Sequence, residues 1–95
     1  MDFAAYKNSV AGDAPPAGLG MAAQALWWAA KGDWHLAHKC VQQQADAKGA
    51  WVHAYLHRVE GDLSNAGGWY RRAGRSLSTA PLQEEWETIA RALLG

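Results

Sequence analysis

VEGDLSNAGGWYRRA, residues 59–73, and AKGDWHLAHKCVQQQA, residues 30–45, make one statement in two spellings. In each, a glycine is followed at once by an aspartate. Gly32-Asp33 and Gly61-Asp62 lie 29 residues apart, and Ala37 and Ala66 keep the same offset. Glycine ends a helix by taking the left-handed backbone that a Cβ disfavours. The aspartate starts the next helix, its carboxylate accepting from the free N–H groups of the first turn. The alanine, one turn on, lets the second helix lie close against the first. Two copies predict two helical hairpins stacked side by side, because one hairpin cannot bury its apolar face alone.

Outward from these joints the periodicity is helical, and no segment alternates with period two, so the fold class is all-α. Helices are expected at about 19–31, 34–46, 49–60 and 63–74, and a fifth opens at Pro81. The segment 19–31 is apolar almost all round, with Ala22, Ala23, Leu26 and Ala30 on one face and Trp28 opposite. Trp34, Ala37, Val41 and Ala45 face inward from the second segment, and Val52, Tyr55, Leu56 and Val59 from the third. The fourth offers Ala66, Trp69, Tyr70 and Ala73. In the last, Leu82, Trp86, Ile89 and Leu93 point inward, and Glu84 and Glu85 sit near the positive end of the helix dipole. Residues 1–18 hold Gly12, Pro15, Pro16 and Gly18, which disfavour helix interiors, while Phe3, Tyr6 and Val10 share one face of a turn or two. They read as an N-terminal arm ahead of a helical domain, 19–95.

With 95 residues, 49% hydrophobic and 19% charged, the chain has the composition of one globular domain. Nine basic and nine acidic side chains cancel. That removes the general attraction that nucleic acid or an anionic membrane needs, so neither is expected as a partner. The single cysteine, Cys40, forms no internal disulfide. The opening MDFAAYKNSV lacks a basic region followed by an apolar run, and LGMAAQALWWAA (19–30) is about half the length of a bilayer span. A cytoplasmic location is the expectation.

The second joint resembles the tetratricopeptide repeat. That family places a small residue five positions after a turn glycine, an aromatic four later and an alanine three beyond; Gly61, Ala66, Tyr70 and Ala73 match. The first copy has Gly32 and Ala37, then Val41 and Gln44 at the other two places. The family repeat runs about 34 residues, five more than the spacing here, and Ser78 stands where its closing proline falls. The resemblance covers roughly residues 21–75. It implies a short right-handed solenoid of stacked helical hairpins, two repeats plus a C-terminal capping helix. It also implies a concave surface, presenting in the second repeat Lys48, Trp51, Tyr55 and Arg58. The wording of residues 25–38 and 51–74 is also similar to small bacterial proteins of unassigned function.

Histidine is the first candidate for chemistry. His53 and His57 stand at i, i+4, the spacing that lets two imidazoles meet one metal. If the segments 34–46 and 49–60 run antiparallel and turn near Ala47 and Lys48, His38 lies level with His57. Three imidazoles, with Cys40 one position off their face, suffice in principle for zinc. No carboxylate stands at a matching level and no H-E-x-x-H is present; the plain alternative is that these histidines bond neighbouring carbonyls or water. Nucleophilic catalysis finds no support: Cys40 lies well past any helix N-terminus that would lower its pKa, and Ser64, Ser76 and Ser78 have no elbow around them. No cofactor is called for, and the chain reads as a non-enzyme.

Arg58, Arg71, Arg72 and Arg75 form the only basic cluster, with Glu84, Glu85 and Glu87 expected to neutralise it. Six tryptophans exceed what core filling requires, and Trp27 and Trp28 are adjacent, so both cannot face one core. Trp28 must be covered by the arm, another helix or a partner chain. For Trp28 and Trp51, burial by the chain's own arm and burial by a partner both stay open. The cationic, aromatic wall of Lys48, Trp51, Tyr55 and Arg58 suits an acidic peptide, which favours a small protein-interaction module. The alternatives are a metal-binding protein using His38, His53 and His57, and a homodimer joined through the segment 19–31 and Trp28.

Overall fold

The two glycine–aspartate joints fold alike. Gly32 and Gly61 have φ of 84° and 85°. The N–H of Asp33 donates to Trp28 O at 3.0 Å and that of Gly32 to Ala29 O at 3.0 Å, closing one helix with the paired bonds of a Schellman turn. Asp62 and Gly61 make the same two bonds to His57 O and Arg58 O, at 2.9 and 3.0 Å. Each aspartate then caps the helix that follows, Asp33 accepting from Leu36 N at 3.0 Å and Asp62 from Asn65 N at 3.2 Å.

The computed structural model describes residues 1–95 as six helices and no strand: α1 Phe3–Ser9, α2 Met21–Ala30, α3 Trp34–Val41, α4 Ala47–Val59, α5 Leu63–Arg72 and α6 Leu82–Leu94. α2 packs on α3 and α4 on α5, as the joints predict. The two pairs meet through α2, α3 and α4, α6 lies across α2 and α4, and α1 rests on α6. No helix is long and apolar enough to cross a membrane.

Residues 1–18 are built into the core through α1. The Tyr6 ring is fully buried, stacks on Trp86 at 5.8 Å and donates its hydroxyl to Ala23 O at 2.6 Å. Burial pushes that hydroxyl's pKa up. Three of the six tryptophans are pinned by their indole N–H: Trp27 to Ser9 Oγ, Trp34 to Leu56 O and Trp86 to Leu26 O, at 2.9, 2.6 and 2.8 Å. Each bond ties separate parts of the chain, so the indoles act as struts as well as filling. Trp28 is half-buried, edge-on against Trp27 at 4.9 Å, within the chain's own packing.

α3 is shorter than the sequence pattern suggests. It stops at Val41, and Gln43 N and Gln44 N turn back onto Cys40 O and Val41 O. Gln44 then bridges the bend, its Oε1 accepting from Ala22 N and its Nε2 donating to Asp46, which caps α4. A Cβ on Gly49 would stand 2.0 Å from Gln44 O, so this close approach requires glycine. Ala30, Ala45, Val59 and Leu82, expected inside, are exposed. All four lie at helix ends or in connections, where a periodic stripe runs past the edge of the core.

Candidate metal centre

The antiparallel run of α3 and α4 brings His38, His53 and His57 together, their ligand nitrogens all within 4.8 Å of one another. His53 and His57 are buried, and His38 is half-buried. Indole rings wall the cluster: Trp34 stacks on His38 with centroids 4.8 Å apart, and Trp69 stacks on His53 at 3.7 Å. His53 and His57, one turn apart on α4, are themselves nearly parallel at 5.1 Å.

His38 Nε2 and His53 Nε2 are 2.8 Å apart. A hydrogen bond of that length needs a proton on one nitrogen and a lone pair on the other, so the pair resists a second proton. Burial and the His38 ring hold the pKa of His53 down at about 4. Burial, then His57, lowers that of His38 as well. Both rings are therefore neutral near pH 7, the form that binds metal.

His57 Nδ1 sits 2.7 Å from Glu60 Oε1. The carboxylate holds a proton on Nδ1, so that in the neutral ring Nε2 is the nitrogen left to bind, as with carboxylate partners of metal-binding histidines. This overturns the expectation that no carboxylate stands at the level of the histidines. Its signal was present in the i, i+3 spacing of His57 and Glu60 at the end of α4. Asn65 of α5 also approaches, its Nδ2 3.4 Å from His57 Nε2. Cys40 is buried outside the cluster, its thiol pKa pushed up by burial.

The three imidazoles supply the donor set of a tetrahedral ion with one open position, their nitrogens lying within 4.8 Å of one another. Zinc–nitrogen bonds of about 2.05 Å place neighbouring ligand nitrogens roughly 3.3 Å apart. The His38 and His53 nitrogens, now sharing a hydrogen bond, would have to part by about half an ångström.

Trp51, Tyr55 and Arg58 do share the opposite side of α4, but they do not form an open wall. Trp51 is 6% exposed, with the Arg75 guanidinium 3.4 Å from its ring centre. Of the covers left open for Trp51, the arm is not the one used: the indole is covered by the segment after α5. Arg58 donates to Glu85 Oε1 at 2.8 Å and to Ala80 O, and Tyr70 donates to the other Glu85 oxygen at 2.5 Å. Tyr55 is buried beside them, its hydroxyl pKa raised to about 12 by burial and then by Glu85. Lys48 stays exposed, and the hollow between it and Trp51 is only about 140 Å³. The start of α6 thus occupies the ground assigned to a peptide.

The glutamates neutralise one member of the basic cluster and leave the other three. Glu85 pairs with Arg58 alone, Glu87 with Lys7 and Arg91, and Arg71, Arg72 and Arg75 have no carboxylate partner. No family model, no curated protein and no solved structure matches this chain significantly.

Proposed function

We propose that this chain is a small non-catalytic protein that holds a divalent transition-metal ion of the zinc class on His38, His53 and His57. The observation that carries the reading is the convergence of the three imidazoles together with the Glu60 bond that orients His57. Isothermal titration of the chelator-stripped chain with zinc chloride at pH 7 tests it. One ion per chain should bind, His57→Ala should abolish binding, and Glu60→Gln should weaken it about tenfold to a hundredfold. A flat titration ends the reading.

A second reading, an interaction module for an acidic protein or peptide, draws support from the three unpaired arginines. Its anchors would then be Arg71 and Arg72 at the end of α5, with Arg75 just beyond it, since Trp51, Tyr55 and Arg58 are engaged within the chain. The order of helix pairing supports reading the two hairpins as a short tetratricopeptide-like solenoid capped by α6.

A further inference from the structure

A cleft of about 550 Å³ opens where the α3–α4 connection meets α5. That volume lies within the range of small-molecule sites. Val41, Ala50 and Trp69 give it apolar walls, and His53, Arg72 and Asp46 are its ionisable groups.

The partners of those three decide which charge the cleft would accept. Asp46 caps α4 through one oxygen, Oδ1, which accepts from Gly49 N at 2.9 Å and from Gln44 Nε2 at 3.0 Å. Arg72 has no carboxylate within reach, and its guanidinium lies against Trp69, 4.6 Å from a ring centre. His53 uses Nε2 toward His38, and no bond within the chain uses its Nδ1. No buried side-chain nitrogen lacks a partner, so Nδ1 reaches solvent, and the cleft that His53 lines is this one. When His38 donates to His53 Nε2, the proton of the neutral His53 ring sits on Nδ1. The amino end of α4, with its positive dipole, adds to the same side at Ala47. Arg72 and, in that arrangement, His53 Nδ1–H are thus donors beside the apolar wall, set against the one unbonded oxygen of Asp46.

We propose that this cleft binds a small amphipathic carboxylate. Its hydrocarbon part lies against Val41, Ala50 and Trp69, and its carboxylate accepts from Arg72 and from His53 Nδ1–H. Arginine suits this role because its planar donors match a carboxylate's two oxygens. The site goes beyond the metal reading and needs no ion, because a bound carboxylate selects the arrangement in which His38 donates and His53 carries its proton on Nδ1.

The test is nuclear magnetic resonance of the ¹⁵N-labelled full chain at pH 7 in the presence of a chelator. Hexanoate, hexanol and hexylamine serve as probes of one length and three charges. Hexanoate should move the Trp69 indole and Ala50 amide signals, and hexanol should bind about tenfold more weakly or worse. Arg72→Gln, a change at an exposed position, should bring hexanoate down to the level of hexanol and leave the rest of the spectrum in place. Equal binding of hexanoate and hexanol would overturn the proposal, as would shifts confined to other regions. Stronger binding of hexylammonium would overturn it too, by making Asp46 the determinant. Because metal is excluded throughout, a failed zinc titration leaves this result untouched, and a failed hexanoate titration leaves the zinc reading untouched.

Discussion

Trp51, Tyr55 and Arg58 on one side of α4, and His53 and His57 on the other, lie within about two turns of a single helix. Their polar groups end differently. On the first side each partner comes from a distant segment of the same chain: Arg58 and Tyr70 share the Glu85 carboxylate, and Arg75 covers Trp51. That side is closed and satisfied. On the second side His53 and His38 satisfy each other with one shared proton, and Glu60 is the one carboxylate bonded to the rings. Buried polar groups are usually bonded in a way that leaves nothing over. Both sides obey that rule, but the first does so with fixed ion-pair partners and the second with a histidine–histidine bond whose proton either ring can hold. One helix therefore carries fixed ion-pair and packing contacts on one face and a cluster of imidazoles on the other.

The largest expected effect breaks the closed side. Glu85→Ala strands the Arg58 charge, 14% exposed in its side chain, and the Tyr70 hydroxyl. Removing one partner of a buried pair costs about 3–5 kcal/mol, measurable as a shift in the urea midpoint. Replacing both Arg58 and Glu85 with apolar residues of similar size should recover most of that loss.

Trp51→Ala comes next. If the indole is core, the substitution destabilises the fold by about 3 kcal/mol, and zinc titration of the folded fraction is unchanged. Had Trp51 been a receptor wall, stability would hold and only partner binding would fall, so the urea curve separates the two.

On the histidine side the handle is pH. The folded pKa of His53, about 4, lies below the ordinary 6.5, so the unfolded chain binds more protons between those values. Its contribution is therefore fully present above pH 6.5 and is lost as pH falls toward 4; the lowered pKa of His38 acts in the same direction. The loss should be on the order of 2 kcal/mol. His53→Gln should flatten the slope, and Trp51→Ala should not.

The smallest effect concerns the joints that hold both sides in place. Asp33→Ala and Asp62→Ala should each cost about 1 kcal/mol, with nearly equal shifts in thermal midpoint because the two caps have the same geometry.

The joints were fully legible in the sequence. Gly32, Asp33, Gly61 and Asp62 act on backbone groups within five residues of themselves, and local bonds follow from local letters. The meeting of the three histidines was legible at one remove, because an antiparallel hairpin places residues by simple counting. The Glu60 bond was legible but unread. The length of α3 was not, because Gln44 stops it by bridging Ala22 of another helix to Asp46.

What the sequence determined by itself is the five helices after the arm, the caps at Asp33 and Asp62 and the two faces of α4. Which face is filled was decided only by the tertiary structure. Arg58 and Glu85 are 27 residues apart and Trp86 reaches Leu26 across 60. Such bonds depend on where whole helices come to rest, and periodicity carries no information about that. The basic, aromatic side of α4 looks like a receptor in one dimension. In three dimensions the acidic start of α6, carrying the charge that side attracts, is already docked on it.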